Sequence, residues 1–590
     1  SGIINIIMKK NQNHGLSGVV NTNIGLNKKY GGDFLFQYKT ESFTAFFGAD
    51  YNKRNFPGTS NSENRFIGIN TSYLNSNGSS QSQRNGSGVR GSIEFNLTQS
   101  AFLNLGGRFG QRNGLQNSLL NYFEWSTDNP SQQLYSSNGS FNRKGDFAEA
   151  NLVYTQRFKK DGHEIKAEFN FGYDKDNESS ITKKTVAGQI IDGERIDNSG
   201  PSREFEGKVD YTLPFSADSK FETGYEGQAE VSEENNNLFQ FNDATKSFDP
   251  QSQYDYSVKY RNSDHALYSI YSDKVYGIGI QGGLRTEYTF RSIILDKQNQ
   301  RFAIDRWDFF PTLHTSYKIG EVTQTMASYT RRIQRPHGWE LEPCIIWTDA
   351  NNVRKGNPDL KPQYIDSYEA GVQTLIGELS ISADVYYRTV HNKIERIRSV
   401  YLPNDTSIQN VTLTSMDNIG HDYSLGSEYM FIFDPIKFWN VNLMANLYSY
   451  KVVGTLPDGP FTRTSFNWNT RFNNVFKINS SAQLQLNLNY NSPTVSSQGR
   501  TEDFFTVDVS AKHDFLERLL TATLQVRDLF GTARMENRSQ GSDFYSYSYM
   551  KRESPVVVLS LRLNFNNFKN DRDKRDQNDN QNDSNGDITD

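Results

Sequence analysis

Hydrophobic and polar residues alternate with a period of two along most of this chain. The alternation is clearest in Glu164–Tyr173, Trp439–Leu447 and Gln483–Tyr490, where only Met444 interrupts a polar set. Successive side chains of a strand point to opposite faces, so each segment has one apolar and one polar face. The segments run to about ten residues, with aromatic residues near their ends and polar faces rich in Asn, Gln and Ser. This pattern is typical of a transmembrane barrel that is apolar outside and wet inside.

The composition excludes a helical membrane protein. Only 35% of the residues are hydrophobic, and the mean hydropathy is −0.72. No stretch approaches the roughly 18 consecutive apolar residues that a spanning helix requires. Spanning strands need an apolar residue only at every second position, and the 32 Tyr and 40 Phe residues suit the two membrane interfaces. The sequence therefore predicts an all-β fold with outer-membrane lipid as its surroundings.

Connection lengths predict the number of strands, because outer-membrane barrels have short periplasmic turns and long extracellular loops. Ten short connections are expected at Thr40–Ser42, Thr98–Ser100, Lys159–Gly162, Pro214–Ser219, Ser272–Lys274, Ile319–Glu321, Leu375–Gly377, Asp434–Lys437, Lys477–Ser480 and Phe515–Arg518. Eleven longer polar connections are expected at Lys28–Gly32, Lys53–Gly86, Arg112–Gly145, Lys175–Pro201, Ser232–Ser257, Ser292–Asp305, Ile333–Lys361, Ile394–Ser415, Val452–Phe461, Ser492–Gly499 and Phe530–Phe544.

Ten turns and eleven loops join about 22 strands, an even number as a closed antiparallel barrel requires. The segment Phe66–Leu74 also resembles a strand, and we place it inside the second outer loop rather than in the wall. A wall of about 20 to 24 strands is therefore expected. The last strand is expected at Pro555–Phe565.

Several sequence blocks resemble a known superfamily. Ser1–Lys10 is similar to the last strand of the plug domain of TonB-dependent outer-membrane receptors. Tyr329–Pro336, Gly356–Pro362 and Asp366–Gly371 resemble the mid-barrel signature of that superfamily, especially of its barrel family abundant in Bacteroidota. The resemblance implies a 22-stranded wall, in agreement with the turn count.

The expected domain organisation follows from these blocks. Residues 1–10 are expected to be a remnant of the plug domain, 11–568 the transmembrane barrel and 569–590 a disordered, polar periplasmic tail. Within the tail, Gln581–Ile588 only faintly resembles a calcium loop. The chain starts at Ser1 without a signal peptide, so we expect the export signal to lie upstream. The wide lumen needs to be filled, either by a plug with its TonB box upstream of Ser1 or by a partner that occupies the lumen or caps the mouth.

No catalytic or metal-binding motif accompanies this pattern. None of the eight His residues stands at the spacing of a known metal motif, so no metal site, cofactor or enzymatic activity is expected. Cys344, the single cysteine, lies near His337 in a long loop, where an unpaired, buried thiol is favoured over a catalytic one. Trp339 and Trp347 in the same loop are the candidates for ligand or partner contact. The alternative is that this loop folds inward and packs on itself.

The resemblance implies an outer-membrane receptor that imports an unidentified solute through TonB-dependent, energy-coupled uptake. The alternative is a receptor-like barrel that does not transport and serves as a structural subunit of an outer-membrane assembly or secretion complex. The expected partners are outer-membrane lipid, the TonB complex acting through the plug, and a surface lipoprotein or other barrel subunits. A net charge of −5 gives no reason to expect nucleic acid.

Overall fold

The computed structural model describes residues 15–253, 255–296, 299–349, 351–401 and 411–566. These residues form 29 strands, a single-turn α-helix and a 3-10 turn. In chain order the elements are β1 (Gly15–Gly25), β2 (Lys29–Lys39), β3 (Phe43–Phe66), β4 (Ser72–Asn96), β5 (Ala101–Ser126), β6 (Gln133–Arg157), β7 (Glu164–Val186), β8 (Gln189–Pro214), β9 (Lys220–Asn242), β10 (Ser247–Pro250), β11 (Tyr256–Val275), β12 (Ile278–Leu295), β13 (Gln300–Ile319), β14 (Thr323–Gln334), α1 (Gly338–Leu341), β15 (Ile345–Asp349), β16 (Asn352–Lys355), β17 (Gln363–Ile376), β18 (Leu379–Val400), β19 (Thr412–Ile436), β20 (Trp439–Leu456), β21 (Gly459–Lys477), β22 (Ala482–Asn491), β23 (Thr494–Val495), β24 (Gly499–Thr501), β25 (Phe504–Phe515), the 3-10 turn (Leu516–Arg518), β26 (Leu520–Arg527), β27 (Met535–Gln540), β28 (Phe544–Arg552) and β29 (Val556–Phe565).

Twenty-two of the described strands form a closed wall. They are β1–β9, β11–β14, β17–β22, β25, β26 and β29, and each is antiparallel to the next. The last strand pairs with the first, from Gly18↔Phe565 to Gly25↔Val558, which closes the cylinder. The predicted all-β, closed antiparallel barrel of about 22 strands is confirmed.

The ten short connections lie at one end of the barrel. Nine of them overlap their predicted positions. The turn expected at Ser272–Lys274 was placed too early, because β11 continues to Val275 and the chain reverses at Tyr276-Gly277. Both turn residues have positive φ, 51° for Tyr276 and 84° for Gly277. Positive φ at both residues is what a type I′ two-residue hairpin turn requires, and glycine adopts that conformation without strain.

Most outer connections proved shorter than predicted. The expected loop Lys53–Gly86 is instead a long hairpin in which β3 and β4 remain paired up to Phe66↔Ser72. Phe66–Leu74 is therefore the hairpin tip rather than a strand inside a loop. Strands β3–β9 contain 23 to 26 residues each, whereas a membrane-spanning strand needs only about 9–11. Outside the membrane both faces are wet, so the chain loses its alternation while it keeps its ladder hydrogen bonds.

The apolar faces of the strands line up around the outside of the cylinder. Direct cross-strand pairing places Leu313, Tyr329, Tyr368, Tyr387 and Leu425 in one continuous row. Tyr329 and Tyr368 are in ring contact, with centroids 4.9 Å apart. Four members of the row are exposed large hydrophobic side chains: Leu313, Tyr368, Tyr387 and Leu425. We assign this face to lipid, and the intervening polar residues to the lumen.

The described helical segments are short. None of them is long and apolar enough to cross a membrane.

Candidate functional site at the barrel mouth

The described part of the connection between β14 and β17, residues 335–349 and 351–362, folds into the mouth of the barrel, and we call it the inner loop. Arg335 reaches the inner wall immediately after β14, where its Nη2 lies 2.6 Å from the Glu287 carboxylate and 3.7 Å from that of Asp308. Arg291 of β12 donates a hydrogen bond to the Pro336 carbonyl at 2.5 Å. Glu287 and Asp308 face the lumen because their neighbours Tyr288 and Trp307 pack together on the outward face.

An apolar cluster holds the inner loop against the wall. It joins Leu341, Cys344 and Leu360 of the loop to side chains of three wall strands: Tyr256, Val258, Ile293, Leu295 and Ile394. All eight members are at least nine-tenths buried. Removing this much apolar surface from water favours the folded-in position of the loop. The Trp339–Trp347 region was expected to be either a binding surface or a loop that folds inward and packs on itself. The loop does fold inward, and it packs on the wall as well as on itself.

The Gly356–Pro362 block contributes directly to this packing. The Gly356 N–H donates to the Glu342 carbonyl at 2.7 Å, and the Asn357 N–H donates to the Glu340 carbonyl at 2.6 Å. A Cβ on Gly356 would lie 2.5 Å from the backbone N and O of Glu342. Only glycine allows such close approach of two backbone segments. The block therefore works as a close-packing element of the inner loop, and Leu360 anchors its far end.

Glu342 of the inner loop carries a buried carboxyl group, and only 3% of the residue's surface is exposed. The hydroxyls of Tyr256 and Tyr260 lie close to it, and its Oε1 has no hydrogen-bond partner among the described residues. Burial, reinforced by the Glu234 carboxylate, raises the pKa of Glu342 to about 7. The carboxyl is therefore held near the point at which it changes charge at neutral pH.

Cys344 is an unpaired, buried thiol, as the sequence predicted. Burial, together with the carboxylates of Glu342 and Glu234, raises the pKa of Cys344 to about 12. A thiol becomes nucleophilic through its thiolate form, so this environment opposes a catalytic role. His337, the histidine near Cys344 in the sequence, lies at the start of α1, where its backbone N–H donates to the Glu340 carboxylate at 2.7 Å. The packing role of Cys344 accounts for its burial.

Both predicted contact residues lie on the inner loop. Trp339, in α1, is 39% exposed, and the Arg354 guanidinium lies 5.9 Å from its ring centroid. Trp347, on β15, meets Tyr401 edge to face at 6.2 Å. Among the described ring contacts, none joins the two indoles to each other. The structure thus places both at the mouth, where Trp339 has the more accessible ring.

A second segment crosses the mouth beside the inner loop. It consists of the outer ends of β18 and β19, residues 393–400 and 411–418, and we call it the arch. The Arg398 N–H donates to Gln498 Oε1 at 2.8 Å, and its Nη1 donates to Ser539 and Ser546 at 3.3 and 3.1 Å. Val400 packs against a buried cluster on the opposite wall, formed by Phe66, Leu74, Tyr122 and Tyr135. The arch therefore spans the opening from one side to the other.

The inner loop and the arch are also joined to each other. Residues 352–355 pair in parallel with 412–415, the only parallel pairing in the described ladders. The Thr412 N–H donates to the Asn351 carbonyl at 2.9 Å, and the Tyr135 hydroxyl donates to Asn351 Oδ1 at 3.0 Å. The two segments thus form a single cover across the mouth, which we call the cover.

Comparison with known proteins now gives the family. Residues 156–565 match the outer membrane protein beta-barrel family, about two thirds of the chain. The chain belongs to this family. It is therefore a β-barrel of the outer membrane, which confirms the predicted localisation. No match was found among functionally curated protein sequences.

Solved structures of similar architecture include transporters and receptors. The copper transporter OprC has a TM-score of 0.63 at 11% identity, covering 94% of this chain and 81% of OprC. The ferripyoverdine receptor of Pseudomonas aeruginosa has a TM-score of 0.61 at 14% identity, covering 94% and 73%. The ferric yersiniabactin uptake receptor FyuA of Yersinia pestis has a TM-score of 0.59 at 11% identity, covering 94% and 81%. At these identities the likeness concerns the fold.

The inner wall of this outer-membrane β-barrel is strongly charged. On β9 and β12 the Arg285 guanidinium bridges Glu226 and Glu287 at 3.2 and 2.6 Å. On the other side, a pocket of about 760 Å³ is lined by charged and small residues, including Arg90, Arg108, Glu149, Glu204 and Glu206. These residues were not predicted from the sequence. Their signal was available, because they occupy the polar positions of strands whose alternate residues are apolar.

Within the part of the chain that the structure describes, no group of three or more His, Cys, Asp or Glu side chains is arranged to hold a metal ion. The proposed plug strand at residues 1–10 and the tail at 569–590 lie outside the described residues.

Proposed function

We propose that this outer-membrane β-barrel is a receptor that imports a solute through TonB-dependent, energy-coupled uptake. The main observation that supports this proposal is the cover. It is built from the inner loop and the arch, and it crosses the mouth of a 22-stranded barrel. A lumen of this width is large enough to admit a solute. In this proposal a solute bound at the mouth displaces the cover and then enters the lumen.

The Trp339 ring is the proposed first contact for the solute. It is the accessible aromatic surface of the inner loop, and the Arg354 guanidinium beside it adds a cation. Trp347 is proposed as a second contact. It becomes available when Tyr401, which directly follows β18 of the arch, moves away and the edge-to-face contact between the two rings breaks. Aromatic side chains supply large contact areas at little entropic cost, which suits capture of a scarce solute.

Energy coupling in this proposal follows the superfamily resemblance. A plug domain would respond to solute capture and would be moved through the TonB complex in the inner membrane. The similar structures include a copper transporter, the ferripyoverdine receptor and the ferric yersiniabactin uptake receptor, which supports uptake as the role. They also support a non-enzymatic role. The solute of this barrel stays open.

The decisive experiment measures uptake in four strains: wild type, a deletion of this barrel, a deletion of the energy-coupling protein, and both deletions. Copper and a panel of ferric siderophores serve as probes. We expect uptake of one probe to fall equally in all three deletion strains. If neither the barrel deletion nor the deletion of the energy-coupling protein changes uptake of any probe, the proposal is contradicted. Stable co-purification with other barrels would then favour the structural-subunit alternative.

A further inference from the structure

Two histidines face each other at the base of the arch. His391 of β18 and His421 of β19 are direct cross-strand partners. Their Nδ1 atoms lie 3.3 Å apart, and their ring planes are inclined at 80°. Both rings are accessible: the His391 side chain is 41% exposed, and His421 is exposed. The two Nδ1 atoms thus face each other at a solvent-accessible position on the wall.

The carboxylate of Asp366 orients the His391 ring from the side opposite to His421. Asp366 of β17 accepts two hydrogen bonds from Arg331 and one from the Tyr329 hydroxyl, each at 2.8 Å. Its Oδ2 lies 3.5 Å from His391 Nε2, and Thr389 Oγ1 lies at the same distance. A fixed negative charge on this side favours a proton on Nε2. The lone pair of His391 then lies on Nδ1, the atom that faces His421.

The separation of the two Nδ1 atoms matches that of two imidazoles sharing one metal ion. With Zn–N distances of about 2.0–2.1 Å and tetrahedral geometry, two ligand nitrogens lie about 3.3–3.4 Å apart. A carboxylate on the far nitrogen of a ligating histidine is the usual outer partner in such sites. The backbone is also fixed here. A bulge at Asn392 is held because Asn392 Nδ2 donates to the Pro362 carbonyl at 3.3 Å and Asn418 Nδ2 donates to the Asn392 carbonyl at 2.7 Å.

We propose that His391 and His421 bind one divalent transition-metal ion through their Nδ1 atoms, with Asp366 as the orienting partner. Imidazole ligands favour Zn²⁺ and Cu²⁺ over Mg²⁺ and Ca²⁺. With two protein ligands, water completes the coordination, so the site is open. The bound ion connects β18 to β19 at the point where both strands leave the wall and become the arch. This site is independent of the proposed uptake function.

The test is titration of the detergent-solubilised barrel, purified without a polyhistidine tag, with ZnCl₂ in a calorimeter. We expect one site that is lost in His391→Ala and in His421→Ala. Asp366→Asn should retain the site but weaken it by about 10- to 100-fold, as loss of an outer carboxylate partner does. Cu²⁺ bound to the wild type should show two equivalent nitrogen ligands by electron paramagnetic resonance.

His265→Ala is the matched control. Its ring nitrogens contact the Tyr225 hydroxyl at 2.7 Å and the Ser263 hydroxyl at 3.0 Å, and Zn²⁺ binding should be unchanged. Thermal unfolding confirms that each variant folds. Absence of Zn²⁺ binding in the wild type, or binding that persists in both His391→Ala and His421→Ala, would overturn the proposal. In that case the two rings share a hydrogen bond only.

Discussion

Arg335 of the inner loop and Glu287 of the barrel wall form an ion pair inside the mouth, with 2.6 Å between Nη2 and Oε2. Both side chains are largely withdrawn from solvent, and Glu287 also receives a hydrogen bond from Arg285 Nε at 2.6 Å. The pair directs the chain inward at the point where β14 ends. The apolar cluster around Leu341 then keeps it there. An ion pair at the start of the inner loop and apolar burial further along it thus both hold the loop in the mouth.

Arg335→Ala should loosen the inner loop without unfolding the barrel. A hydrogen bond to a charged partner contributes about 1.5–3 kcal/mol, so the loop should open about ten- to a hundredfold more often. Cys344 reports the opening, since it is buried and is the only cysteine of the chain. Its maleimide labelling should be slow in the wild type and about ten- to a hundredfold faster in Arg335→Ala.

The matched control is Lys246→Ala, which removes the exposed Lys246–Asp243 ion pair. Exposed ion pairs contribute about 0–1 kcal/mol, and Cys344 labelling should stay at the wild-type rate. Equal labelling rates in wild type and Arg335→Ala would show that the ion pair does not hold the loop.

Docking of the inner loop should weaken as pH rises. Glu342 has an ordinary pKa of 4.5, and burial raises this pKa to about 7. Below pH 4.5 the carboxyl is neutral whether the loop is docked or open. Between about 4.5 and 7 only the open state ionises, so each increase in pH favours opening. Above pH 7 the carboxyl is ionised in both states, and docking of the loop is destabilised by roughly 3 kcal/mol, the free energy that corresponds to a pKa shift of this size.

Glu342→Gln should remove this pH dependence, because the amide does not ionise. Hydrogen exchange of the 338–356 amides, corrected for the intrinsic pH dependence of exchange, measures it. The wild type should be better protected at pH 5 than at pH 8, and the variant equally protected at both. A wild-type loop with the same protection at both pH values would contradict this account of Glu342.

How far the sequence predicted the fold depended on the membrane. Where one face meets lipid, as in Gln483–Tyr490, alternation is strict, and the strands and turns were predicted. In the outer half of β3 and β4, water reaches both faces, so residues such as Ser79 and Gln81 need not alternate with apolar ones. Their ladder hydrogen bonds come from the backbone and leave no mark on side-chain type. These long hairpins were therefore mistaken for loops.

The site was predicted less completely than the fold. The sequence directed attention to Trp339, Trp347 and Cys344 because rare residue types stood out in one long loop. It gave no sign that Arg335 would meet Glu287, 48 positions earlier, because such a pair depends on how β14 leaves the wall. The burial of Glu342 likewise follows from tertiary packing against β11.

Gly356→Ala should displace the inner loop by steric conflict. The new Cβ would lie 2.5 Å from the Glu342 backbone, and backbone atoms cannot move aside as a side chain can. Overpacking of this kind costs about 1–3 kcal/mol. Cys344 labelling should therefore accelerate, as in Arg335→Ala. Gly207→Ala on β8 is the control, since its Cβ meets nothing within 4 Å, and labelling should not change. Acceleration in both glycine variants would point to general loosening of the barrel instead.

Trp339→Ala should weaken capture of whichever solute depends on this barrel for uptake. Truncation of an aromatic contact at a binding site commonly costs 2 kcal/mol or more, so half-saturation should need about tenfold more solute or above. Trp339→Phe should retain part of the affinity because an aromatic face remains beside Arg354. Trp307→Ala is the control: this ring is 60% exposed on the outward face of the wall, opposite to the face on which the inner loop packs, and uptake should be unchanged. If both tryptophan-to-alanine variants take up solute like the wild type, Trp339 makes no contact with it.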